Sequence, residues 1–91
     1  MEKNVSGTTV MLSIRNTTKK TLEGVTVRDS VPDGSFISCP IVPKIQQLGP
    51  TSTLTWEILQ LGPREEVTIR YETYHSNRGF SVTYAGKEYR G

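Results

Sequence analysis

The chain has 91 residues, 34% of them hydrophobic, with eight glycines, five prolines and a formal net charge of +2. A chain of this length builds one modest core, burying a little over about 60% of the surface its unfolded form exposes. Its eleven Lys and Arg are dispersed rather than blocked, which argues against a nucleic-acid footprint. The single cysteine, Cys39, excludes an internal disulfide, a Cys-rich zinc site and a redox pair.

The opening "MEKNVSGTTVML" holds no apolar run long enough for a signal peptide or a membrane span, so direct membrane insertion of this segment is not expected. Either the protein is cytosolic or the chain is a piece of a longer one; the second expectation makes residues 1–91 a single domain of a larger protein. In "TTVMLSIRN", Val10, Leu12 and Ile14 alternate with Met11, Ser13 and Arg15, the period of a strand with one buried face. The polar "NTTKKTLEG" carries Lys19 and Lys20 and closes on Gly24, as a solvated chain reversal does. Val25 and Val27 then define a second strand, which the corner Asp29 to Gly34 is expected to end before Phe36 and Ile37 briefly resume. Prolines in "CPIVPKIQQLGP" each remove a ladder donor, so a strand there is short or lies on an edge.

Next comes an echo, "LGPTSTLTW" and "LGPREEVTI", in which a turn feeds a strand twice. Leu54, Trp56 and Ile58 alternate in the first and Val67, Ile69 and Tyr71 in the second; the two strands are expected to pair as a hairpin around Leu61 to Glu65. In the closing "NRGFSVTYAGKEYRG", Asn77 to Gly79 supply a turn, Phe80, Val82 and Tyr84 alternate, and Ala85 to Lys87 read as one more turn. Strands at this spacing predict an all-β fold, an antiparallel β-sandwich of about seven strands.

The order "VMLSIRNTT", "LEGVTVRDSVPDG" and "LTWEILQLGPREEVTIRY" resembles the DUF11-type domain, an immunoglobulin-like β-sandwich of archaeal and bacterial surface proteins. The residues that carry the resemblance are Asn16 at the end of the first strand, the corner Val25, Val27, Asp29, Pro32 and Gly34, and the set Trp56, Ile58 and Leu61. Where that family usually has Pro-Gly-Glu, this chain reads Gly62-Pro63-Arg64-Glu65, which implies a different turn type with the pairing intact. The resemblance implies a structural or adhesive module with no catalytic residues, set among neighbouring domains.

Asp29 and Asp33 bracket Pro32 and offer a weak divalent-ion candidate, yet a calcium loop needs more oxygen ligands than two carboxylates provide. The better reading is strand-end chemistry: Asp29 accepts backbone N–H bonds beyond the strand, and Asp33-Gly34 suits a tight turn. His75 lies in a loop, and nothing in the spacing of His75, Cys39 and the serines suggests a catalytic arrangement. Trp56 is in phase with Leu54 and Ile58 and belongs to the core. Tyr74 and Tyr89 are expected at the surface, the first residues to test against a carbohydrate or protein ligand. Asn4 and Asn16 begin sequons, usable only on an exported chain; Asn16 also suits a turn-shaping role.

The edge strands carry the remaining functional expectation. Prolines 40, 43 and 50 blunt one edge, whereas "FSVTYAG", with Phe80, Val82 and Tyr84, is expected to lie open to a neighbouring domain or partner. The leading expectation is a non-catalytic structural or adhesive module, not an enzyme and without a cofactor, in a larger cell-surface or secreted protein. The alternatives are a free-standing cytosolic β-sandwich that docks a peptide or protein, and a carbohydrate-binding module.

Overall fold

The computed structural model describes residues 2–77, 79–84 and 87–90. Nine strands occur among them: β1 (Glu2–Ser6), β2 (Thr9–Arg15), β3 (Leu22–Pro32), β4 (Phe36–Ser38), β5 (Lys44–Leu48), β6 (Thr51–Leu61), β7 (Glu66–Thr73), β8 (Ser81–Tyr84) and β9 (Lys87–Arg90). They form two antiparallel sheets, ordered β1-β2-β7-β4 and β5-β6-β3-β8-β9. The expected all-β sandwich is present, with more strands than the alternation alone revealed. The additional ones are the rim strands β1 and β9, whose residues are mostly exposed, so no apolar period marks them; β5 is the short edge strand expected among the prolines.

Alternation decides which residues meet in the middle. Val10, Leu12 and Ile14 of β2 and Ile69 and Tyr71 of β7 face Val25, Val27 and Val31 of β3, Leu54 and Trp56 of β6 and Val82 of β8 in one buried cluster. The Tyr71 ring lies 5.7 Å from that of Trp56 and 6.2 Å from that of Phe36, both within the range of favourable aromatic pairs. Trp56 is a core residue as expected, and its indole N–H donates to the Ile41 carbonyl at 2.9 Å.

Three expectations are corrected. β6 and β7 are not a hairpin: β6 pairs with β3 and β5, β7 pairs with β2 and β4, and the two lie in different sheets. Alternation fixes the face a strand buries and is silent about its neighbour, so two strands facing each other across a core read like two strands side by side. β3 does not stop at Asp29; the ladder continues through Asp29↔Leu54, Ser30↔Thr53 and Val31↔Ser52 to Pro32↔Thr51. Finally, β8 is not an edge, because it sits between β3 and β9. The expected turn at 85–87 falls partly outside the described residues, as does the middle of the turn at 77–79.

Two corners of the fold share one turn geometry. In Pro32-Asp33-Gly34-Ser35 the Ser35 N–H donates to the Pro32 carbonyl at 3.0 Å and Gly34 has φ +78°. In Gly62-Pro63-Arg64-Glu65 the Glu65 N–H donates to the Gly62 carbonyl at 3.1 Å, with Arg64 at φ +60°. Positive φ at the third position marks a type II turn, where glycine is the usual occupant. The second corner carries the chain from one sheet to the other.

Candidate functional site

The core stripe of β3 reads Val25, Val27, Asp29, Val31, and all four side chains are buried. Strand phase therefore carries a carboxylate into the apolar layer. A bare carboxylate there costs several kcal/mol, roughly, and three groups from distant parts of the chain compensate it. The Lys3 Nζ of β1 donates to Asp29 Oδ1 at 3.0 Å, the Tyr71 hydroxyl of β7 donates to Oδ2, and the Ser30 N–H donates to Oδ1 at 2.8 Å. Lys3 also donates to the carbonyls of Asn77 at 2.6 Å and Gly79 at 3.0 Å, so three acceptors surround its nitrogen. The ion pair is enclosed, with 6% of the Lys3 and 1% of the Asp29 side chain exposed.

Two sheets and a loop are thus joined at one point, since β1 and β7 belong to one sheet and β3 to the other. The Asn77 side-chain amide donates to Ser30 Oγ at 3.1 Å, which holds the loop against β3. Burial pushes the Asp29 carboxyl above the usual carboxylate range, while the Tyr71 and Lys3 hydrogen bonds and the Lys3 charge pull it back. Burial, then the hydrogen bond to Asp29, pushes the Tyr71 phenol up, so it acts as a hydrogen-bond donor and not as a base.

Asp33 does not join this cluster. It is exposed at the Pro32–Ser35 corner, where Gln47 donates to it at 3.0 Å and Ser52 at 3.4 Å. The end of β3 splits the two aspartates: Asp29 lies within the strand and inside, and Asp33 lies past its last residue, Pro32, in the expected tight turn. The divalent-ion candidate is therefore not assembled, since each carboxylate has its own protein partners, and no cluster of three or more metal-ligating side chains occurs among the described residues. Asp29 accepts the expected backbone N–H, that of Ser30, but from within the ladder instead of beyond its end.

Asn16 is a second buried polar residue, 1% exposed. Its amide nitrogen lies 2.6 Å from the Lys20 carbonyl and 3.0 Å from those of Leu61 and Gly62, and its oxygen accepts from the Thr18 N–H at 2.9 Å and hydroxyl at 2.7 Å. Asn16 shapes its turn through its side chain, as expected. The same bonds correct the glycan expectation at this position, because the nitrogen a glycan would occupy is enclosed in the fold. Asn4 is exposed on β1.

The expected partner surface is divided. Phe80 and Val82 are core residues, 6% and 5% exposed, and do not present a free edge. Tyr84 is half-buried and lines, with Tyr89, a groove of about 250 Å³ floored by Ile14, Leu22, Val25 and Leu61. Tyr74 is exposed beyond the end of β7, in the other sheet, and takes no part in that groove. A wider concavity of about 650 Å³ includes Arg28, Glu88 and Arg90, where Arg90 is already paired with Glu88 at 2.9 Å. The five-stranded sheet has β5 and β9 as its edges, and at β5 Ile45 and Leu48 are about half exposed, with Ile41 and Val42 exposed just before it. His75 is exposed in a loop, and the half-buried Cys39 thiol donates to the Arg70 carbonyl at 3.4 Å.

Lys3 was the residue the sequence left unread, for β1 has no period and the lysine looks like any surface charge. Asp29 did leave a signal, since it continues the alternation of Val25 and Val27. Residues of this chain thus define a β-sandwich domain tied through its core by an ionic cluster. No protein-family model matches the chain, and no curated protein does. Among solved structures it is similar to a GH20 exo β-N-acetylglucosaminidase from Vibrio harveyi, determined in complex with N-acetylglucosamine, with a TM-score of 0.51 and 13% identity. The match covers 100% of this chain and 16% of that one. Such a likeness bears on the fold alone.

Proposed function

We propose that this domain is a non-catalytic, immunoglobulin-like structural or adhesive module of a larger cell-surface or secreted protein, as its resemblance to DUF11-type domains implies. The observation that supports it is the enclosed Lys3–Asp29–Tyr71 cluster. Its ionisable groups are consumed in joining the two sheets, which leaves them no free position for a substrate. A spacer between neighbouring domains needs resistance to sheet separation more than it needs a cleft. The experiment is a blot of fractionated source cells with an antibody against this domain. A band far above the mass of the 91-residue chain, in the envelope or secreted fraction, is the expected result. A soluble cytoplasmic band at the mass of the chain would overturn the proposal.

A second reading has an observation of its own. The β5 edge, with exposed Ile45 and Leu48 and the adjacent Ile41 and Val42, offers unpaired backbone groups beside apolar side chains, the features used in strand addition. On this reading the domain docks an extended peptide or protein segment. Ile45→Lys together with Leu48→Lys would abolish such binding while sparing the fold; an unchanged set of co-purifying partners would exclude it.

A further inference from the structure

We propose that Lys3 and Asp29 condense to an intramolecular isopeptide bond, which links β1 of one sheet covalently to β3 of the other. The two side chains meet the positional requirement for it. Nζ lies 3.0 Å from Asp29 Oδ1, and both groups are sealed from water, so the amine is held against the carboxyl group in the manner that gives intramolecular reactions their high effective concentrations. The Asn77 and Gly79 carbonyls, at 2.6 and 3.0 Å from Nζ, fix the nitrogen from the other side.

The chemistry balances without a co-reactant. Moving one proton from Nζ to Oδ1 along their hydrogen bond converts the ion pair into a neutral amine beside a neutral acid. Burial holds the Asp29 carboxyl above its usual range, which favours its taking that proton. The nitrogen lone pair then attacks Cγ, the Nζ–Cγ bond forms, and charge develops on Oδ2, where the Tyr71 hydroxyl already donates. A donor preorganised at a developing oxyanion is a main source of rate in acyl transfer. Oδ1 leaves as one water, taking a second proton from the nitrogen, and the product is a secondary amide. The cross-link is a property of the folded chain and does not depend on where the domain resides.

Intact-mass measurement of the full chain, unfolded in denaturant, tests this directly. The expected mass is lower than the calculated one by one water, both at purification and after prolonged incubation of the folded chain. Trypsin then fails to cut after Lys3, and residues 1–15 remain joined to residues 29–44. Asp29→Ala and Lys3→Met each restore the full mass, and Tyr71→Phe slows the loss of water by roughly 10²-fold or more. A wild-type chain that keeps its full mass and is cut after Lys3 would overturn the proposal. Loss of ammonia with the link mapped to Asn77 would overturn it as well, since the acceptor would then be another residue. The wild-type measurement stands even if a variant fails to fold.

Discussion

Asn16 and Asp29 are both polar, both buried, and solved by opposite means. Asn16 closes a strand end, and its partners are mostly backbone groups: Thr18 and Lys20 in its own turn, and Leu61 and Gly62, 45 and 46 positions away at the end of β6. Asp29 sits mid-strand, and its side-chain partners are Lys3, 26 positions away, and Tyr71, 42 positions away. Backbone groups satisfy a neutral amide at little cost, whereas a charge in the core needs a counter-charge brought to it. Both devices reach from one sheet to the other, the first through backbone groups and the second through side chains.

The largest expected effect separates these devices. Lys3→Met leaves the Asp29 carboxylate buried without its counter-charge and is expected to cost about 3–5 kcal/mol in urea unfolding. Lys3→Met combined with Asp29→Leu recovers most of the part due to the stranded charge, because a well-packed apolar pair replaces a buried ion pair at little net cost, and does not recover what a cross-link adds. A double variant no more stable than Lys3→Met alone would mean that the lysine acts through packing and not through charge.

A spectroscopic test follows from Tyr71. Its phenol is held above the ordinary value, so the folded state keeps this proton longer than the unfolded state does. The contribution is complete below the ordinary pKa of about 10 and falls above it by up to about 1.4 kcal/mol per pH unit. In an alkaline titration the phenolate absorbance of Tyr71 should rise only as the chain unfolds. A Tyr71→Phe chain with the same alkaline unfolding midpoint would contradict this assignment.

Smaller effects are expected where the buried group is neutral. Asn16→Ala removes bonds to a turn and is expected to cost about 1–3 kcal/mol, less than Lys3→Met, with no second substitution able to restore it. Thermal unfolding of the two variants side by side checks the order. Smallest of all, Arg64→Gly relieves a left-handed backbone in the type II turn and should stabilise by about 0.5–1 kcal/mol. The matching corner already has its glycine, so Gly34→Ala should move stability in the opposite direction.

Local chemistry was what the sequence made legible. The alternations at Val10–Ile14, Leu54–Ile58 and Val67–Tyr71 located central strands, Asp33-Gly34 announced its turn, and Trp56 was placed in the core by phase. Pairing was not legible, for two strands that face each other across a core carry the same alternation as two in a hairpin. Nor were β1 and β9, whose residues are mostly exposed and so have no period to show. The site fell between these cases: Asp29 lay in the apolar phase of its strand, visible in principle, while the identity of its partner was set by tertiary contact with an aperiodic rim strand. Arg64 stands where the DUF11-type family usually has glycine, and the type II turn holds it at φ +60°; the pairing expected to survive this departure is absent, since β6 and β7 lie in different sheets.

The most direct test of the central claim, that Lys3 and Asp29 act as one unit joining the sheets, is a thermodynamic cycle over Lys3→Met, Asp29→Leu and their combination, measured by urea unfolding. A coupling of about 2 kcal/mol or more is the expected result. Additive losses, with coupling within about 0.5 kcal/mol of zero, would contradict it.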